Sequence, residues 1–138
     1  MISCSLKILV HTIHWVLLLN ATQTSLSQDQ FFPLNDLLGR WAVIKVIEGD
    51  VDITSSMDQT ANRRIEFFND GFFESDGFPF GRYAGTYSLD EMTGTLTQVV
   101  DESTDASILW KVRHNGEHLI FQGTGKFSSY RFVLKKID

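Results

Sequence analysis

"LNDLLGRWAVIKVIEGD", residues 34–50, is the stretch on which the fold of this chain turns. A turn ending in Gly39-Arg40-Trp41 leads straight into the longest apolar strand of the sequence. Residues 34–38 have the length of one helical turn, with Asn35 or Asp36 as a local cap. A tryptophan at that junction fits a buried anchor, and it also fits the opening of a small β-barrel.

Beyond residue 40 no long helical period occurs. Short runs of β-branched and aromatic residues are punctuated by turn signals roughly every eight to twelve positions, the spacing of an all-β sandwich or barrel. Eight strands are expected, at about 40–48, 63–68, 72–76, 82–89, 95–101, 107–114, 118–123 and 127–136. Short connections between them favour an antiparallel meander. Eight such strands close into an up-and-down barrel that holds its own side chains or one small ligand.

Two hairpins give the sharpest expectations. In "ILWKVRHNGEHLIFQG", Asn115-Gly116 predicts a two-residue type I′ turn. That register sets Val112 opposite Leu119 and Trp110 opposite Phe121 on an apolar face, with Arg113 opposite His118 on the other. In "RRIEFFNDGFFES", a three-residue loop Asn69-Asp70-Gly71 pairs Phe67 with Phe73 inside and Glu66 with Glu74 outside. The Glu pair carries a mild like-charge cost.

Residues 1–27 read as a signal peptide. "MISCSLK" carries one positive charge, "ILVHTIHWVLLL" is an apolar run of 12 residues, and "NATQTSLSQ" is small and polar. A bilayer span needs about 20 apolar residues, so stable membrane insertion is not expected after cleavage. Ser25 and Ser27 stand at −3 and −1 for a cut before Gln28, which leaves residues 28–138 as one exported domain, secreted or periplasmic. The single cysteine, Cys4, leaves with the peptide, and the domain must then rely on its core. The net charge of −5 argues against nucleic acid and anionic membrane surfaces as partners.

A helical turn followed by Gly39-x-Trp41 at the head of an eight-stranded meander resembles the lipocalin signature. Residues 35–138 are most similar to the small lipocalin-like domains of bacterial exported proteins, which are calycin-type barrels. "RRIEFFNDGFFE", "GRYAGTYSLD" and "GTLTQVV" follow that family's order of strands and turns. The resemblance implies that Trp41, with Gly39, anchors the closed end of the barrel, and that a basic residue of the last strand lies across it. Antiparallel pairing gives that place to Lys135 or Lys136 rather than Arg131, and a lysine there makes a cation–π contact.

Catalytic chemistry finds little footing. "HNGEH", residues 114–118, spells a zinc motif that needs a helix, and Asn115-Gly116 breaks one; in the hairpin His114 and His118 point to opposite faces. Asp101, Glu102 and Asp105 lack the glycine turn of a calcium loop and read as a solvated connection, as do Asp50 and Asp52. No thiol nucleophile remains in the mature chain, and no G-x-S-x-G turn offers a serine. The domain is therefore expected to be non-enzymatic, with no cofactor and no metal.

Alternation sends Trp41, Phe67, Phe73, Tyr87, Trp110, Phe121, Tyr130 and Phe132 inward. Two functions follow from that. In one, Tyr87, Trp110, Phe121 and Phe132 line a slot for a small apolar or amphipathic molecule, with Phe78 and Phe80 of "DGFPFGRY" as its lip. In the other, these rings fill the barrel, the Phe78–Phe80 loop is tucked in, and the domain acts on another envelope protein through its outer surface.

Overall fold

Trp41 pairs with Ile65 on one side and with Lys136 on the other, and this double pairing closes the sheet. The computed structural model describes residues 31–57, 62–79, 81–101 and 107–137. The signal peptide expected at 1–27 lies outside these residues, as do Phe80, Glu102 and Asp105. A helical turn, α1 (Leu34–Leu37), leads into β1 (Gly39–Glu48), β2 (Val51–Asp52), β3 (Arg64–Phe67), β4 (Phe72–Asp76), β5 (Arg82–Asp90), β6 (Thr95–Val100), β7 (Ser107–Asn115), β8 (His118–Gly123) and β9 (Tyr130–Ile137). From β3 to β9 each strand pairs antiparallel with the next, β9 returns to β1, and β1 meets β3. Eight strands thus form a closed up-and-down barrel, consistent with a calycin-like fold. The two-residue β2 sits outside it, on the far end of β1. The last barrel strand starts three residues later than expected, because Gly125–Phe127 form a 3-10 turn.

The barrel base answers the question raised by Gly39-Arg40-Trp41. Trp41 is 4% exposed, and its indole N–H donates to the carbonyl of Leu37 at 2.8 Å. Lys136 Nζ stands 5.4 Å from the ring centroid, so of the two lysines expected across the tryptophan the cation is Lys136. The helical turn is capped differently from the expectation. Pro33 holds the N-cap position and supplies no side-chain bond; the Leu34 N–H of the first turn donates to Glu91 Oε1. Asp36 instead reaches His114, with Oδ2 2.8 Å from Nε2. Phe32 precedes the cap and Leu37 is the fourth helical residue, the two positions of a hydrophobic staple. Both are buried in the core, and Phe32 closes the base of the barrel against the His114 ring.

The Phe67–Phe73 and Glu66–Glu74 pairs form as expected, with Gly71 in the left-handed region at φ 87°. Arg40 offsets the Glu66–Glu74 repulsion by donating to Glu66 Oε2 from the neighbouring strand at 2.9 Å. The β7–β8 hairpin keeps its expected faces but shifts its register. Asn115 pairs with His118, Val112 with Phe121, and Trp110 with Gly123. The turn is therefore Gly116-Glu117, with Gly116 alone at positive φ, the Gly-X pattern of a type II′ turn. A type I′ turn would have forced Asn115 into the left-handed region as well. Asp52 in the β1–β2 region serves local structure: it accepts from the Thr54 hydroxyl and backbone N–H, and these bonds hold its carboxyl below the usual carboxylate range.

Candidate functional site

Inward alternation on β6, β7, β8 and β9 brings Trp110, Phe121 and Phe132 together in mid-barrel, each with no exposed surface. Trp110 meets Phe132 edge to face at 5.6 Å and Phe121 at 6.0 Å between centroids. Such tilted and T-shaped contacts favour the ring quadrupoles. Phe127, from the turn after β8, stacks on Trp110 at 5.7 Å and 21°. Gly123 makes room for that turn, since a Cβ there would lie 1.9 Å from the Phe127 carbonyl oxygen.

Phe78 enters this cluster from the loop between β4 and β5. It is wholly buried, 5.0 Å from Phe132, 5.5 Å from Trp110 and 5.7 Å from Phe121. The space a ligand would occupy among the expected lining residues is taken by this ring. Phe78 follows Gly77, which has φ 77°, and precedes a cis Phe78–Pro79 peptide bond.

Tyr87 does not join the group. Its ring packs edge-on against Phe67 at 5.0 Å, and its hydroxyl donates to the Phe68 carbonyl at 2.5 Å. Burial, helped by the charge of Asp70, raises its pKa above the usual tyrosine value. Thus Trp110, Phe121, Phe132 and Phe78 converge, Tyr87 stands apart, and Phe80 lies outside the described residues.

Two interior features escaped the sequence reading. Gln98 is 2% exposed and accepts the Trp110 indole N–H at 2.7 Å, fixing the ring within an otherwise apolar layer. Its inward direction follows from the alternation Leu96-Gln98-Val100. Phe32 is the second, and the staple spacing to Leu37 is the signal that would have found it.

Two clefts open on the protein surface. One of about 460 Å³ lies over β3, β4 and β5 between Arg64, Glu74, Asp76 and Arg82. A smaller one of about 280 Å³ lies by Tyr87, Asn69 and Glu91. None of the four converging rings lines either. Among the described residues no group of three His, Cys, Asp or Glu side chains comes together to hold a metal ion. No family model, no curated protein and no solved structure matches this chain at a significant level.

Proposed function

We propose that this chain is an exported, non-enzymatic interaction module, a side-chain-filled barrel that works through its outer surface. The observation that carries the reading is the position of Phe78, sealed at the centre of the Trp110–Phe121–Phe132 cluster. An eight-stranded barrel has room for its own side chains or for one small ligand, and here the rings take that room. Native mass spectrometry of residues 28–138 after incubation with a total lipid and metabolite extract tests it. The reading expects the bare mass; a stoichiometric adduct lost on Trp110→Glu in a folded protein would overturn it.

One observation favours a second reading, a carrier whose apolar ligand displaces Phe78. The ring belongs to a hairpin loop bounded by Gly77 and Gly81, not to a strand, so it can leave without breaking the sheet. The same experiment separates the two, because displacement yields the adduct.

A further inference from the structure

The outside of the barrel is not evenly acidic. Across β7, β8, β9 and β1 the registers set three outward rows side by side. They are Lys111–Gln122–Arg131–Ile47, Arg113–Ile120–Val133–Lys45 and Asn115–His118–Lys135–Ala42. The three rows hold five Lys and Arg residues and no carboxylate. At their centre Ile120 is 3% exposed yet lies outside the core cluster, so the long side chains of this face cover it. Asp52 approaches Lys45 at 3.4 Å from the margin. Among the described residues no carboxylate pairs with Arg113, Arg131 or Lys135. Exposed aliphatic side chains flank the rows: Leu109 beside Lys111, and Ile44 at the bulge beside Lys45.

The arrangement selects among anionic partners. Charges two residues apart on a strand are about 7 Å apart, and adjacent strands lie about 4.8 Å apart, so the cations spread in two dimensions. The outside of a closed barrel curves away from its axis, so this face presents a convex surface to a linear polymer, and neither surface cleft includes its residues. The barrel strands pair with one another here, and the edge strand beside this face, β2, is only two residues long, too short to seat a peptide strand. A plane of phosphate head groups, with aliphatic side chains reaching the acyl boundary, matches both the charges and their borders.

We propose that this face docks peripherally on an anionic phospholipid surface, with Lys111, Arg113, Arg131 and Lys135 against the lipid phosphates. The inference rests on the reading that the outer surface is the working one. The negative net charge does not oppose it. Glu74, Asp76 and Asp90 lie on β4 and β5, two and three strands beyond β1, roughly 10 Å or more away and outside a screening length of about 8 Å at physiological salt. Glu66 on the adjoining β3 is paired with Arg40 at 2.9 Å.

Flotation of residues 28–138 with phosphatidylcholine vesicles, with and without phosphatidylglycerol, is the test. These residues contain the whole closed barrel and its core. Binding is expected to be roughly tenfold stronger on the anionic vesicles and to weaken with added salt. Arg113→Glu with Lys135→Glu should lower it at least about tenfold, whereas Arg82→Glu, on β5 and three strands beyond β1, should leave it unchanged. Near-UV circular dichroism checks the fold; if the reversed pair fails to fold, Lys111→Gln with Arg131→Gln replaces it. Equal binding to neutral vesicles, no binding to anionic ones, or indifference to the substitutions on this face overturns the proposal. So does equal competition by soluble polyphosphate, which would mark a general polyanion site. Vesicle failure beside a bare native mass removes the lipid surface and keeps the outer-surface reading. An interior adduct removes that reading whatever the vesicles show.

Discussion

Trp110 donates its indole N–H to Oε1 of Gln98 at 2.7 Å, and both side chains are all but sealed from solvent. The bond ties β6 to β7 at the level where Phe78 enters. Gln98→Met keeps much of the volume and leaves the indole N–H without its partner. The expected cost is about 1–3 kcal/mol, since a buried donor then loses its acceptor. Urea denaturation should show a lower midpoint at unchanged slope. An unchanged midpoint would mean that the indole finds another acceptor.

Trp41 and Lys136 separate burial from cation–π attraction at the closed end. Trp41→Ala should cost about 3–5 kcal/mol through the lost ring and the cavity left behind. Lys136→Met retains the stem over the indole and should cost only about 0.5–1 kcal/mol. Comparable losses in the two variants, measured by denaturation, would contradict the assignment of Trp41 as a packing anchor.

Gly123 faces Trp110 across the hairpin and admits the Phe127 backbone beside it. Gly123→Ala puts a methyl group 1.9 Å from a carbonyl oxygen, so the chain must move, at a cost of at least about 2 kcal/mol. Gly116→Ala strains a positive φ with open space around it, for about 1–2 kcal/mol. Thermal unfolding should therefore rank Gly123→Ala as the less stable variant.

Much of this was legible in the sequence, because the side-chain period of a strand is two. Val112 and Trp110 share the inner face with Leu119 and Phe121 in both the expected and the observed hairpin. The two registers differ by a two-residue offset, which leaves that parity intact and makes alternation blind to it. What decides is turn geometry, which favours Gly116-Glu117, and the fit of a large indole opposite Gly123 with Phe127 stacked beyond. Phe78 was visible as a tucked or displayed ring but not as the centre of the core, because a loop has no period to read. The outer cations were hidden for another reason: net charge sums over the chain, and a face is set by cross-strand register.

Tyr87 gives a pH dependence with a defined sign. Its folded pKa is raised, chiefly by burial, above an unfolded value of about 10. The neutral phenol is the form the fold favours. Its contribution is fully present below pH 10 and is lost as pH rises through the folded pKa. Tyr87→Phe removes this alkaline loss while giving up the bond to Phe68, at about 1 kcal/mol near neutrality. Stability measured across the alkaline range should fall less steeply in the variant; parallel profiles would contradict the assignment.

The central claim is that the barrel is filled by its own rings, and calorimetric titration with toluene tests it most directly. The natural protein should give no binding heat, while Phe78→Ala should bind one equivalent in the space its ring vacates, as an apolar cavity of that kind stays dry and takes such a ligand. Saturable, one-to-one binding to the natural protein would contradict the claim and make Phe78 a displaceable occupant of a ligand site.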